Sequence, residues 1–192
     1  MAQYTIDLPC IADTYCSYEN PNTNYGNATV LRGGGYRFIE NIPTVVVLYY
    51  ILAKFSSSLL PLRKKIIYVG LRVYSVKAMP AVEGTEVAFN LYDINWEEST
   101  ANYNNQGKDI SYFGQFSDWV AFKSGIPSNA WVEIDVTKTP IISAILDGDI
   151  SDKGIIFHWR DVTPGIPSED YWQIHSRENT NAPVLRVVYE DV

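Results

Sequence analysis

The chain has 192 residues, a mass of 21.7 kDa and a formal net charge of −7, so it is long enough for one domain with a sizeable hydrophobic core. It is 46% hydrophobic and 14% aromatic but only 19% charged, a composition that favours pleated sheets over helices. The acidic balance, with no basic run longer than Arg63 to Lys65, excludes a surface that tracks nucleic-acid phosphates. We therefore expect one all-β domain, residues 1–192, and no nucleic-acid partner.

The start of the chain and its most apolar window carry no targeting or membrane signal. Residues 1–10 lack the basic start and the apolar stretch of a secretory leader, so we expect no signal peptide. The window "TVVVLYYILAKF" at residues 44–55 has about twelve residues, whereas a membrane helix needs roughly 20. We predict one long buried strand or a strand pair there, and no membrane span.

Apolar and polar residues alternate with a period of two along most of the chain. In "IIYVGLRVYSV" at 66–76, Val69 and Leu71 fall on one face and Arg72 and Tyr74 on the other, as in a half-buried strand. Strands are predicted at 12–16, 28–32, 45–54, 66–76, 85–92, 118–123, 131–136, 154–159, 171–175 and 184–190. Turn signals rich in Asn, Gly, Pro and Ser separate them. This pattern predicts a single jelly-roll β-sandwich of two antiparallel sheets.

One segment has the spacing of a helix. In "TKTPIISAILDGD" at 137–149, Pro140 suits a first helical turn, and Ile141, Ile145 and Leu146 form one apolar side before Gly148. We predict one short helix near 139–147 that closes an end of the sandwich.

The two cysteines, Cys10 and Cys16, raise the question of a disulfide. If "CIADTYC" is extended, they lie roughly 20 Å apart, whereas a disulfide tolerates only about 4.4 to 6.8 Å between Cα atoms. We expect two small buried residues. A disulfide made possible by a turn is the alternative.

The polar stretch at 12–35 contains several turn residues. We predict that Asn24, Gly26 and Gly33 to Gly35 occupy tight turns with positive φ, which these residue types tolerate. Asn27 begins the glycosylation sequon "NAT", which we attribute to chance because no signal peptide is visible.

Five segments in order resemble the DNRLRE-domain family over nearly the whole chain. They are "ADTYCSYENPNTNYGNATVLRGGG", "YYILAKFSSSLLPLRKKIIYVGLRVYS", "FNLYDINWEESTANYNNQ", "WVEIDVTK" and "HSRENTNAPVLRVVYE". The chain departs from that family where a "FDLSSLP"-like turn becomes "AKFSSSLLP". The resemblance implies a jelly-roll β-sandwich that serves as a non-catalytic module on secreted and surface proteins. Some members are carbohydrate-binding modules for acidic polysaccharides, and similar domains occur in phage structural proteins.

Catalytic and zinc chemistry lack the residues that they need. Neither His158 nor His175 lies near a nucleophile motif, so we expect no nucleophilic catalysis. The nominal glycosidase carboxylates are Glu97, Glu98, Glu169 and Asp170, which we interpret as solvated loop residues. The four soft ligands (both cysteines and both histidines) lack the paired spacing of a zinc site. The chain is predicted not to be an enzyme.

Calcium is harder to dismiss, because loops carry many oxygen ligands. "DGDISDKG" at 147–154 has the alternation of a calcium loop but no glutamate at the offset for bidentate ligation, so an ordinary polar turn is the preferred interpretation. No metal ligand is therefore assigned. The opening stretch leaves one specific question, which is whether Asp13 or Asn24 holds a calcium ion.

Sugar binding requires aromatic faces beside polar groups, and the stretch "HWRDVTPGIPSEDYWQIHSRE" at 158–178 supplies them. The candidate carbohydrate-binding residues are Trp159, Tyr171, Trp172 and His175. Neighbouring residues in a strand point in opposite directions, so at least half of this aromatic and polar set is expected in the core. Trp96, Arg177 and Glu178 are predicted to be structural, the last two in a buried ion and hydrogen-bond network.

Two functions remain open at this point. The first is a non-catalytic structural and adhesive module on a virion surface, such as a capsid decoration, head-fibre or tail-associated protein. The alternative is a polysaccharide-binding module of a secreted carbohydrate-active system. The expected partners are virion or cell-surface subunits, glycans, or a second copy of the chain. The expected location is a virion surface or extracellular.

Overall fold

The computed structural model describes residues 2–38, 45–61, 64–79, 86–91, 95–107, 118–121, 125–160 and 171–191. The strands are β1 (Gln3–Ser17), β2 (Val30–Phe38), β3 (Val45–Phe55), β4 (Lys64–Ser75), β5 (Glu86–Leu91), β6 (Asp118–Ala121), β7 (Ala130–Asp135), β8 (Ile155–Arg160), β9 (Tyr171–His175) and β10 (Val184–Asp191). The α-helices are α1 (Ile141–Asp147) and α2 (Asp149–Asp152), and short 3-10 and π-helical turns lie at Ser57–Leu59 and Tyr103–Gly107. The all-β prediction is confirmed.

The strand pairing differs from the predicted sandwich of two separate antiparallel sheets. The strands follow the order β1-β10-β4-β9-β2-β3-β8-β5-β6, β7 pairs with β4, and β1 also pairs with β3. These contacts close a ring of six strands: β1, β10, β4, β9, β2 and β3. The closure comes from β1, which pairs with β10 over Gln3–Pro9 and then with β3 over Cys10–Ser17. A register shift between Cys10 and Ala12 marks the change of partner.

One side of the ring is joined by a single register pair. Ser75 of β4 lies opposite Ile174 of β9, and no other residues of these two strands pair in the part of the chain that the structure describes. The indole N–H of Trp172 donates a hydrogen bond to Ser75 Oγ at 2.9 Å, and both residues are fully buried. A side chain therefore supplements the short backbone ladder at this junction.

The hydrophobic core has two clusters. The larger includes Leu8, Leu71, Trp159 and Trp172, while the smaller surrounds Tyr50. The larger cluster fixes the inward face of β9, whose residues alternate between half-buried and fully buried. This alternation decides which side chains of β9 face outward.

The three consecutive glycines lie inside β2, not in the predicted turn. Gly34 and Gly35 do have positive φ, 113° and 74°. A Cβ at Gly34 would also approach the backbone oxygen of Trp159 to 2.8 Å. The glycines therefore let β2 pass close to β8 while adopting a backbone that other residues rarely take.

The predicted helix is present but is followed by a second one. Gly148, with φ of 84°, ends α1 in a left-handed conformation and α2 begins at the next residue. Ile141 and Ile145 are buried, but Leu146 is 57% exposed, so it does not belong to the apolar side as expected. None of the helices that the structure describes is long and apolar enough to cross a membrane.

Both cysteines are free thiols. Cys16 is fully buried, and burial raises the pKa of its thiol to about 12. Cys10 is half-buried at the register shift, and desolvation with nearby Asp13 raises the pKa of its thiol well above the usual value. Neither thiol is a reactive nucleophile.

Candidate functional site

Two of the four predicted carbohydrate-binding residues lie in the core. Trp159 is 2% exposed and Trp172 is fully buried, so neither presents a ring face to a ligand. Trp172 is buried because the pleat of β9 turns its side chain inward, together with that of Ile174. Tyr171 and His175 occupy the alternate positions of β9 and are half-exposed.

Tyr171 belongs to a group of side chains from four strands and the segment after β4, which we call the tyrosine–cation cluster (Tyr15, Arg32, Tyr49, Tyr171 and Lys77). The guanidinium carbon of Arg32 lies 5.2 Å from the ring centroid of Tyr171 and 6.0 Å from those of Tyr15 and Tyr49. The Lys77 ammonium lies 5.1 Å from the Tyr171 centroid. Two cations therefore approach one half-exposed ring.

Strand register assembles this cluster. Gly34 of β2 is the partner of Tyr49 on β3 and of Tyr171 on β9, and the two tyrosine rings lie 4.9 Å apart. Arg32, two residues earlier, is opposite Gln173. The cluster therefore lies where β3, β2 and β9 run side by side.

Arg32 has no charge partner in the part of the chain that the structure describes. It is half-buried, yet among the described residues it makes no ion pair or hydrogen bond, only ring contacts. The other arginines whose side chains the structure describes, Arg72, Arg177 and Arg186, each pair with carboxylates. Because a half-buried cation normally has an anionic partner, Arg32 can accept an anion from a ligand.

Two tyrosines of the cluster, Tyr15 and Tyr49, keep their hydroxyl protons. Burial raises the pKa of Tyr15 above its usual value. Burial and a hydrogen bond to Glu19 raise the pKa of Tyr49 to about 12, and the Tyr49 hydroxyl donates to that carboxylate. Tyr15 and Tyr49 therefore contribute neutral rings to the cluster at neutral pH.

His175 belongs to a second feature, which we call the aromatic row (Trp131, Tyr74 and His175). The rings of Tyr74 and His175 stack with centroids 4.7 Å apart, and Tyr74 meets Trp131 edge-on at 5.7 Å. Trp131 is 42% exposed, unlike Trp96, Trp159 and Trp172. Desolvation lowers the pKa of His175, so its ring is neutral.

Sequence reasoning did not nominate Arg32, Tyr49, Tyr74 or Trp131. For Tyr74 and Trp131 a signal existed, because the two-residue alternation of 66–76 and 131–136 places both on the face opposite the apolar residues. For Arg32 and Tyr49 there was none, since their proximity to Tyr171 depends on the pairing of β2 with the distant strand β9.

Arg177 and Glu178 lie in an ion and hydrogen-bond network that is only partly buried. Arg177 donates from Nε to Glu98 Oε1 at 2.7 Å and lies 3.0 Å from Glu178. The Glu98 pairing raises the pKa of Arg177. Trp96 is not part of this network: its indole N–H donates to the Lys153 carbonyl at 2.8 Å.

Asp13, one of the two calcium candidates, is enclosed by the same network. Its Oδ2 accepts a hydrogen bond from the Arg177 backbone N–H at 2.7 Å, and its own N–H donates to Glu98. Its Oδ1 is buried and has no hydrogen-bond partner in the described part of the chain. Burial, reinforced by nearby Glu98, raises the pKa of the Asp13 carboxyl to about 7.

Asn24 and Gly26 have structural roles other than the one predicted. Neither has a positive φ. The Asn24 amide donates to the carbonyls of Glu98 and Ala101 at 2.6 and 2.8 Å, and its Oδ1 accepts from Gly26. A Cβ at Gly26 would lie 2.3 Å from the Glu98 carbonyl oxygen, so the close approach requires glycine. These residues tie the loop after β1 to residues 98–101.

The described side chains include no group of three acidic, histidine or cysteine residues that could hold a metal ion. Calcium at Asp13 or Asn24 stays a prediction. In the segment at 147–154, Asp149 lies 3.3 Å from Lys153 as a helical ion pair.

The residues considered for catalysis are scattered. His158 is fully buried in β8, Glu98 is held by Arg177, and Glu97 is exposed. Glu169 and Asp170 lie outside the described residues. The absence of catalysis stays a prediction.

A comparison with protein-family models identifies the family of the chain. A comparison with curated proteins found no match. The family model described as carbohydrate-binding module family 96 matches residues 4–189. This family differs in name from the DNRLRE-domain family that the sequence resembles, but it agrees with the carbohydrate-binding relationship which that resemblance implied. The chain belongs to carbohydrate-binding module family 96.

Proposed function

We propose that this chain is a polysaccharide-binding module that holds an anionic, uronate-containing glycan against the tyrosine–cation cluster. The observation that carries the proposal is Arg32, a half-buried arginine with three tyrosine rings around it and no carboxylate partner among the described residues. The family match supports carbohydrate as the ligand class and favours this function over the virion-surface role.

The chemistry of the cluster suits a sugar acid. The guanidinium fork of Arg32 matches the two oxygens of a carboxylate, and the Lys77 ammonium adds positive charge beside Tyr171. The half-exposed ring of Tyr171 offers an apolar face for the C–H groups of a pyranose ring. One small area therefore combines an anion receptor with a stacking platform.

We also propose that the module is non-catalytic and acts outside the cell, where such polymers occur. The uronate proposal favours Arg32, Tyr171 and His175 as ligand contacts. These residues replace Trp159 and Trp172 as candidate ligand contacts, because both tryptophans are buried.

The proposal is tested by a glycan array followed by calorimetric titration of the best ligand. We expect selective binding to uronic-acid polymers and little to neutral ones. Arg32→Ala should weaken binding by about tenfold or more, because charge-assisted hydrogen bonds contribute about 1.5–3 kcal/mol. The affinity of Arg32→Lys, which keeps the charge but not the forked guanidinium, should lie between the affinities of the wild type and Arg32→Ala.

The matched control is Lys153→Ala, which removes a cation that pairs with Asp149 in α2. It should leave affinity unchanged, and near-ultraviolet circular dichroism should show that each variant is folded. Equal binding of neutral and acidic polymers, or equal affinity of Arg32→Ala and the wild type, would contradict the proposal.

A further inference from the structure

We propose that the aromatic row is a second contact for the same polysaccharide. The binding site would then be an extended face along β9 that grips an internal segment of the polymer, rather than a pocket for one sugar or a chain end. This inference rests on the proposed function, since it assigns the row to the ligand that the tyrosine–cation cluster binds.

The two features lie on one face of the sheet. Tyr171 and His175 are four residues apart on β9, where residues with half-buried side chains alternate with buried ones, so both side chains point outward. An extended strand rises roughly 3.3 Å per residue, which separates them by roughly 13 Å. Tyr74 and Trp131 continue the row beyond His175. The face is therefore longer than a single monosaccharide.

Polar side chains fill the interval between the two aromatic features. Gln173 lies midway between Tyr171 and His175 and is the register partner of Arg32. Its side-chain amide makes no hydrogen bond with any described residue, so it can donate to and accept from a ligand. Stacking surfaces at both ends and hydrogen-bonding groups between them suit a chain of hydroxylated rings.

Trp131 is exposed but held in place. Its ring meets Tyr74 edge-on, and the Arg72 guanidinium carbon lies 5.0 Å from its centroid. Arg72 is fixed in turn by Glu133 at 3.1 Å, and the Tyr74 hydroxyl donates to the Asn129 carbonyl at 2.9 Å. A large aromatic surface that is ordered without being covered loses little conformational entropy when a sugar stacks on it.

The test is a calorimetric series with uronate oligosaccharides from dimer to octamer. For the wild type we expect affinity to rise with length until the chain reaches both features, and then to level off. Trp131→Ala should bind the short oligomers as the wild type does but lose roughly 2- to 12-fold in affinity for the long ones. Trp131→Phe, which keeps an aromatic ring, should retain part of the affinity that the wild type gains with the longer oligomers.

Two further variants separate the possible failures. Tyr171→Ala should weaken the binding of short and long oligomers alike. Tyr4→Ala, which removes a 44% exposed tyrosine on β1, should change neither. If Trp131→Ala and Trp131→Phe bind the long oligomers like the wild type while Tyr171→Ala does not, the extended site is wrong and the proposed function stands. If the wild type binds no oligomer, both are wrong.

Discussion

At the scale of single residues, Asp13 is the most unusual titratable group that the structure describes. Its carboxyl is fully buried, with Oδ2 accepting from the Arg177 backbone and Oδ1 unpartnered among the described residues. Desolvation disfavours the charged form, which is why the pKa rises from the ordinary 3.8 to about 7. The backbone hydrogen bond from Arg177 acts in the opposite direction but is weaker.

This pKa predicts a pH dependence of stability with a definite sign. Between about pH 4 and about pH 7 the folded protein keeps the Asp13 proton while the unfolded chain has lost it, so this group makes the free energy of unfolding fall as pH rises. The total effect is at most about 4 kcal/mol and is complete above the folded pKa. Asp13→Asn, which cannot ionise, should lack this component.

The measurement is urea unfolding of the wild type and Asp13→Asn between about pH 4 and pH 8. The difference in unfolding free energy between the two proteins should change across this interval in favour of the variant. Parallel profiles would show that Asp13 titrates normally.

Three tryptophans show how far the neighbouring sequence predicts the direction of a side chain. Trp159, Trp172 and Trp131 all lie in strands that sequence patterns identify. The stretch richest in aromatic residues supplied four candidate ligand contacts, and the structure places two of them, Trp159 and Trp172, in the core. The side chain of Trp131 points outward because its position alternates with those of the inward residues Val132 and Ile134, an alternation that is visible in the sequence.

At the scale of elements, the junction of β4 and β9 is where the ring of strands has fewest backbone contacts. Ser75 and Ile174 are its one register pair in the described chain, and the Ser75 hydroxyl links Trp172 to the Lys77 carbonyl at 2.9 Å. The junction adjoins the aromatic row, since Tyr74 and His175 are the next residues on β4 and β9. It therefore supports the stacking of Tyr74 on His175.

Ser75→Ala should destabilise the protein by about 1–3 kcal/mol, because it leaves the Trp172 indole N–H buried without an acceptor. Chemical denaturation checks the magnitude, and near-ultraviolet circular dichroism reports on the tryptophan. The control is Ser143→Ala, whose hydroxyl makes an exposed hydrogen bond in α1 and should contribute within about 0.5 kcal/mol. Equal stability of the two variants would mean that the Trp172 contact does not support the junction.

The strands were well predicted except for the first half of β1 and the second half of β2, where a turn was predicted at Gly33 to Gly35. Residues 3–11 are mostly exposed, so they lack the apolar alternation that identified the other strands. Their strand conformation follows from pairing with β10, a partner about 180 residues away, and the ring closure follows from the same pairing. Local patterns therefore predicted the β class but not the connection between the sheets.

At the scale of the whole molecule, the proposed site shows the limit of sequence reasoning most clearly. Tyr15, Arg32 and Tyr49 come from the first three strands, whereas Tyr171 comes from β9, much later in the chain. Register brings them together, and register depends on the global arrangement of strands. Tyr171 and His175 could be nominated because they are close in sequence to other aromatic residues. Arg32 could not, because only the structure shows that it has ring contacts but no carboxylate partner among the described residues.

The central claim is that Arg32 and the outward rings beside it bind an acidic polysaccharide. The most direct test is a crystal structure of the protein with a bound uronate hexasaccharide. We expect a sugar carboxylate paired with the Arg32 guanidinium, one pyranose ring stacked on Tyr171 and the oligosaccharide continuing towards Trp131. A hexasaccharide bound on another face, with Arg32 not in contact with it, would contradict the claim.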